Sequence, residues 1–367
     1  MATRRSPQTV YVFQGGGALG AYQAGVAEAL AGAGIAPDWL VGTSIGAINA
    51  ALIAGNAPAD RLAALREFWH RVTRPALLPQ PPGLPWLQSL QTWQTLLSGI
   101  PGFFRPRGPL AWDLNRPVPL DQLGFYDTGP LADTLRELVD FDRIAAGETR
   151  LTLCAVDVAS GRMRRFDNRE PGQRLGPEHV MASGALPPGF APVTIGGAAY
   201  WDGGIYSNTP LDVVLDDRER RDMLCFMVDL WDPSEAAPHT MAQALKRLKD
   251  IQYASRINEH LDDHQKLQNL RRAVRLLGRQ LDERTAAEPG VKALLALGCD
   301  SRIDVVHLVM QAQDGEDSWR DIDFTAARLG SRWAAGRADG DAMLARAPWR
   351  EAPPDDVGMR VHSLERP

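Results

Sequence analysis

Short apolar runs bounded by glycine and proline alternate along this chain with stretches of helical spacing. Thr9-Val10-Tyr11-Val12-Phe13 is a β-branched and aromatic run ending at Gln14, which predicts a strand. From Ala21 to Ala33 the apolar residues Tyr22, Val26, Ala29 and Leu30 recur at helical spacing, and Gly34 then Pro37 supply the stop. Trp39-Leu40-Val41 predicts a second strand, and the apolar run from Ile45 to Ala54 follows it. Strand, helix and strand in so few residues make a βαβ unit, whose right-handed crossover places the loops after both strands at the same sheet edge.

Further along, Gly129-Pro130 through Val139 carries a helical pattern, and Thr152 to Val158 with Arg162 to Phe166 predicts a hairpin around Ala159-Ser160-Gly161. Pro177 to Ser183 suits a short helix. Ala198 to Trp201 and Leu224 to Leu230 suit strands. From Met241 to Leu281, apolar positions such as Leu245, Leu248, Leu261, Leu270 and Leu277 fit one or two long amphipathic helices. Arg271, Arg272, Arg275 and Arg279 on that stretch read as a solvated face. Ile303 to Met310 predicts a late strand and Phe324 to Leu344 a late helix. One segment, residues 75–119, changes character: ten prolines stand among Trp86, Trp93, Phe103, Phe104 and Trp112, with Arg105 and Arg107 beside the phenylalanine pair. It reads as an insertion.

Composition narrows the class without choosing within it. With 367 residues, the chain can bury one large α/β core or a core plus an appendage. A net charge of -5, with 44% hydrophobic and 23% charged residues, provides no electrostatic case for nucleic acid. No apolar h-region follows the arginines near the N-terminus, and no stretch approaches the roughly 18 apolar residues of a spanning helix, so a cytoplasmic protein, at most peripheral to a membrane, is expected. Cys154, Cys225 and Cys299 are an odd number, two of them within strand-like runs, and read as buried free thiols.

The candidate chemistry begins at Gly42-Thr43-Ser44-Ile45-Gly46. A G-x-S-x-G between a strand and a helix is the pattern of a nucleophile elbow, a turn so sharp that the serine is strained and glycines on either side avoid clashes. After the first strand comes Gly15-Gly16-Gly17-Ala18-Leu19-Gly20. Gly15, Gly17 and Gly20 also match the dinucleotide fingerprint G-x-G-x-x-G, but the acid that would hold a ribose belongs at the far end of the second strand. Asp38 stands at the near end. The other use of such a loop is an anion nest that stabilises the oxyanion of an acyl-transfer intermediate. Asp202-Gly203-Gly204 follows an aromatic strand and suits a tight turn, where Asp202 is either a functional acid or an Asx residue that stabilises the turn. Histidine is the usual base for a serine, and Ser44, Asp202, His239 would match the chain order of an α/β-hydrolase triad. That fold places several strands before its elbow; here one precedes it.

The glycine loop, the serine elbow and the Asp202-Gly203-Gly204 turn, in that order, resemble the patatin-like phospholipase family. Ala185-Leu186-Pro187, Phe190-Ala191-Pro192-Val193 and Asn208-Thr209-Pro210-Leu211 resemble the family's surroundings, so the match spans roughly residues 9 to 231. The resemblance implies a three-layer α/β fold, with a central, mostly parallel sheet flanked by helices. A catalytic domain over 1–235 would contain the insertion at about 75–119, and 236–367 would form a helical C-terminal extension with a late strand, as on some bacterial members. It further implies a Ser–Asp dyad, Ser44 as nucleophile and Asp202 as proton acceptor, with the glycine loop as oxyanion hole and neither metal nor cofactor. Many relatives carry Arg or Lys where Leu19 stands, a departure that leaves the hole dependent on backbone N–H groups. A carboxylate of ordinary pKa near 4 is a weak base for an alcohol, so such a dyad needs concerted proton transfer in a dehydrated site, to which Tyr200 and Trp201 would contribute. The expected reaction is two-step hydrolysis of a lipid ester or phospholipid. Two readings of the insertion stand open: an apolar lid in peripheral contact with a membrane, or a lobe buried on the core or in a dimer. The C-terminal helices are a candidate homo-oligomer contact, and a phosphate-binding protein without enzymatic activity is the alternative of a different class.

Overall fold

The computed structural model describes residues 6–74, 95–217, 219–234, 236–254, 257–313 and 316–364. Its strands are β1 (Gln8–Phe13), β2 (Trp39–Thr43), β3 (Arg105–Pro106), β4 (Tyr126–Asp127), β5 (Arg150–Asp157), β6 (Met163–Asp167), β7 (Val193–Ile195), β8 (Ala198–Asp202), β9 (Met223–Asp229), β10 (Ile303–Val309) and β11 (Met359–Ser363). All but the β3–β4 ribbon join one sheet of nine strands, ordered β11-β10-β9-β1-β2-β5-β8-β7 with β6 also on β5. From β11 to β5 the neighbours are parallel. Beyond β5 the pairings are antiparallel.

The central strands are apolar at nearly every position because both faces are covered. In β1, Tyr11 and Phe13 point into one core, Val10 and Val12 into the other, as the two-residue period of a strand requires. Helices α1 (Ala21–Gly32), α2 (Ile45–Ala54) and α3 (Arg61–Arg71) supply buried side chains to the first core, as does the helix Ala326–Arg346. Leu211 and Val214 of the helix Leu211–Leu215, with Ile257 and Leu261 of the helix Ile257–Gly278, belong to the second. A fully buried side chain of this size contributes roughly 1.5–3 kcal/mol. The result is the expected layered α/β architecture with a helical C-terminal region.

Several expectations need adjusting. Trp86 and Trp93 lie outside the described residues. Phe103 and Phe104 are buried, packed on each other and on Phe190; an exposed aromatic patch does not include them. Trp112 is half exposed and stacks on Phe125 at 4.2 Å. Arg105 and Arg107 both turn to Asp127, which uses charge that a head group would otherwise meet. On the later helix, Arg272 is buried and donates to the carbonyls of Asp355 and Asp300, while Arg275 and Arg279 pair with the Asp300 carboxylate. That arginine row is therefore partly an internal clamp. Strands β10 and β11, from the segment read as an extension, continue the main sheet from β9. Among the described residues no helix is long and apolar enough to cross a membrane.

Candidate active site

Strand β5 sets the separation of the serine and the acid. Thr43, the last residue of β2, lies opposite Cys154 of β5, and Asp202, the last of β8, lies opposite the next residue, Ala155. Two chain segments about 160 residues apart thus end side by side at one edge of the sheet. Ser44 begins α2 with φ 55° and ψ -124°, a backbone conformation that costs a non-glycine residue of order 1–3 kcal/mol and persists only when neighbours hold it. Its N–H is held by Ser183, through the backbone oxygen at 3.0 Å and Oγ at 3.1 Å. The elbow glycines are required by space: a Cβ on Gly42 would stand 2.4 Å from Gly46 O, and one on Gly46 would stand 2.3 Å from Phe13 O. Position and dipole both place the positive end of α2 at Ser44.

Ser44 and the Asp202 carboxylate line the same cavity, with the Ser44 hydroxyl close enough to favour the charged carboxylate. Burial pushes the Asp202 carboxyl up to about 6, partly offset by the Ser44 hydroxyl and by the Gly204 N–H, the latter 2.7 Å away. Asp202 is therefore a turn-stabilising Asx residue whose buried carboxyl also lines the cavity with Ser44. Gly203 packs so closely on β5 that a Cβ would come 2.5 Å from Cys154 O.

Ser44, Asp202, Gly204 and Ile45 line a cavity of about 570 Å³, together with Gly15, Gly16 and Gly17. Its remaining walls are largely aromatic and aliphatic: Phe104, Tyr126 and Phe190 pack on one another, and Trp231, Trp319 and Phe324 also line the space. The volume falls within the usual range for a small-molecule site. Of the glycine loop, only its first three residues reach this space; Ala18, Leu19 and Gly20 are buried behind it. Among the described residues, the N–H groups of Gly16 and Gly17 have no hydrogen-bond acceptor. Gly17 has φ 55°, and a Cβ there would lie 2.3 Å from Asp321 O. Thr43 and Gly46 are buried beneath the elbow.

A buried polar chain underpins the loop. Gln14 Nε2 donates to Thr209 Oγ1 at 2.8 Å, and Thr209 Oγ1 donates to Asp229, whose other oxygen pairs with His307 at 2.8 Å. Asn49 donates to Gly20 O and receives from Trp69. No histidine among the described residues lines the cavity. His239 is exposed, so Ser44, Asp202 and His239 do not assemble. His179, His264, His307 and His362 are engaged elsewhere. Burial pushes the Cys154 thiol up to about 12, and all three cysteines are free and buried. Asp38 accepts from the Thr9 N–H, away from a ribose position. Among the described residues no group of three or more His, Cys, Asp or Glu could hold a metal ion.

Sequence reasoning missed the part of the cavity lining that comes late in the chain. Lys249, Tyr253, Trp319, Asp321 and Phe324 all come from beyond residue 235 and line the cavity. Lys249 Nζ binds Asp321 Oδ1 at 2.6 Å. Their helical or loop patterns hold no motif; Gln14 and Asn208, which flank the recognised motifs, were the readable signals.

A family model described as patatin-like phospholipase matches residues 11–215, and a second, described as patatin phospholipase, matches residues 251–356. No curated protein sequence matches. Among solved structures, VipD from Legionella pneumophila is 15% identical, with 97% of this chain and 72% of that one covered and a TM-score of 0.34. ExoU in its heterodimeric complex with SpcU, from the type III secretion system of Pseudomonas aeruginosa, is 16% identical, with 96% and 74% covered and a TM-score of 0.33.

Proposed function

Because this chain belongs to the patatin-like phospholipase family and is a lipid acyl hydrolase, we propose that it cleaves lipid carboxylic esters with a Ser44–Asp202 dyad. The observation that carries the reading is the placement of Ser44, at a strained elbow, beside a buried Asp202 in one apolar cavity. Asp202 takes the Ser44 proton as Oγ attacks the ester carbonyl, and the free N–H groups of Gly16 and Gly17 receive the oxyanion. Collapse of the intermediate breaks the ester bond, and the proton passes from Asp202 to the departing alcohol or lysolipid. Water, deprotonated by Asp202, then attacks the acyl-Ser44 ester; the bond to Ser44 Oγ breaks, the proton passes from Asp202 to Oγ, and the fatty acid leaves. A carboxyl held near 6 is a better base for this than one near 4, because its conjugate acid sits closer to neutral pH. Leu19, buried behind the loop, offers no cation, so the backbone donors carry the oxyanion.

The cavity walls suit one acyl chain. Peripheral membrane contact would come from the rim around half-exposed Trp112; a homo-oligomer through the C-terminal helices would cover exposed Leu270 and Leu277. The test of the core reading is labelling by a fluorophosphonate. Stoichiometric modification of Ser44, with Ser44→Ala lowering ester turnover at least 10³-fold at unchanged melting temperature, is expected. A folded protein that never labels and turns over no ester would overturn it.

A further inference from the structure

We infer that Asn208 and Trp231 are positioning residues for acyl transfer: together they clamp the Gly15–Gly16 peptide so that the Gly16 N–H faces the oxyanion. The inference rests on the glycine-loop reading above and adds the side chains that orient that loop. Asn208 Nδ2 donates to Gly15 O at 3.0 Å, and Trp231 Nε1 donates to the same oxygen at 2.8 Å. Both residues are buried. In a planar trans peptide the carbonyl and the following N–H point in opposite directions. Two donors on Gly15 O therefore aim the Gly16 N–H away from Asn208 and Trp231, and no described group accepts from it. The loop abuts the nucleophile there, since a Cβ on Gly15 would lie 3.1 Å from Ser44 Cβ. Gly15's own N–H is committed to Asn208 O at 3.3 Å, which leaves the next amide as the first free donor.

The clamp answers a specific weakness. A peptide between two glycines rotates with little steric resistance, and a rotated Gly15–Gly16 unit would present a carbonyl to the oxyanion in place of an N–H. Asn208 also fills the space between the loop and Gly204: a Cβ on Gly15 or on Gly204 would come 2.4 or 2.8 Å from its Oδ1. Its Nδ2 donates further to Tyr253 O at 2.8 Å. Trp231 is held in turn, stacked on Tyr253 at 5.1 Å with the Arg320 guanidinium 5.0 Å from its ring centre.

Trp231→Phe removes one donor and keeps a ring; Asn208→Ala removes the other. On a short soluble p-nitrophenyl ester each single variant should lower kcat about tenfold and the double variant about 10²–10³-fold, the range for loss of an oxyanion donor. KM should stay within about threefold, because the ground-state carbonyl leans little on that donor. Labelling by a fluorophosphonate should slow in parallel with kcat, and the acid limb of the pH profile should not move, since the clamp does not touch Asp202. Unchanged kcat in the double variant, a loss expressed mainly in KM, or a displaced acid limb would overturn the clamp. Should Asn208→Ala fail to fold, Trp231→Phe alone decides by the same criteria. Turnover that survives Ser44→Ala sinks the dyad and the clamp together, whereas turnover that needs Ser44 and ignores Trp231→Phe and the double variant sinks the clamp only.

Discussion

Asp202 unites cost and use in a single residue. Its carboxyl sits at about 6 because burial penalises the charge more than the Ser44 hydroxyl and the Gly204 N–H favour it. Ester turnover should therefore rise with pH through an apparent pKa near 6, and a profile already flat from pH 4.5 to 8 would contradict the base assignment. The stability consequence has a definite sign. A carboxyl whose folded pKa lies above its unfolded value adds stability below about pH 4 and loses it as pH rises through about 6. The ionised, buried group then costs up to about 3 kcal/mol at neutral pH. Asp202→Asn should thus remove most turnover yet melt higher than the parent at pH 7.5, with the gain vanishing near pH 4; chemical denaturation at both pH values checks this. The motif pattern pointed to this residue, but no sequence pattern reports a pKa near 6, because that comes from the atoms packed around it.

At the level of elements, the packing of α1 against the helix Ala326–Arg346 decides where the glycine loop sits. Gly25 and Gly336 bring the two backbones together: a Cβ on Gly25 would be 2.0 Å from Trp333 O, and one on Gly336 would be 2.0 Å from Tyr22 O. Gly330, on the same late helix, has nothing within 4 Å of such an atom. Gly336→Ala must push the helices apart and should cost roughly 1–3 kcal/mol, and because α1 follows the glycine loop directly, ester turnover should fall as well. Gly330→Ala should be neutral or stabilise by about 0.5–1 kcal/mol through helix propensity alone. Equal melting temperatures for the two variants would refute the close-packing argument. Period and caps made both helices legible in the sequence. Their contact was not, since a glycine needed for a backbone approach reads the same as a tolerated one.

For the molecule as a whole, the segment beyond residue 235 is tied to the rest through sheet, cavity and charge. β10 pairs with β9 along its full length, and Arg337 of the late helix pairs with Glu28 of α1. Asp321 O meets Gly17, and Trp319 and Phe324 wall the cavity. Residues 1–235 alone should therefore aggregate or fail to turn over even a soluble ester, because truncation bares β9 and opens the cavity; a well-folded, active 1–235 fragment would show that boundary to be a real domain edge. By itself the sequence determined the first βαβ unit, most of the central strands, the late helices and the family, because local period and short motifs encode them within a few residues; the helix Arg61–Arg71 and strands β7 and β11 carried no such signal. Only the tertiary structure decided that β5 sets Ser44 beside Asp202, that Phe103 and Phe104 are buried cavity walls, that Leu19 lies behind the loop, and that the late segment completes the site. Those facts depend on which surfaces meet across long loops, and apolar side chains that seek burial carry no mark of their partner.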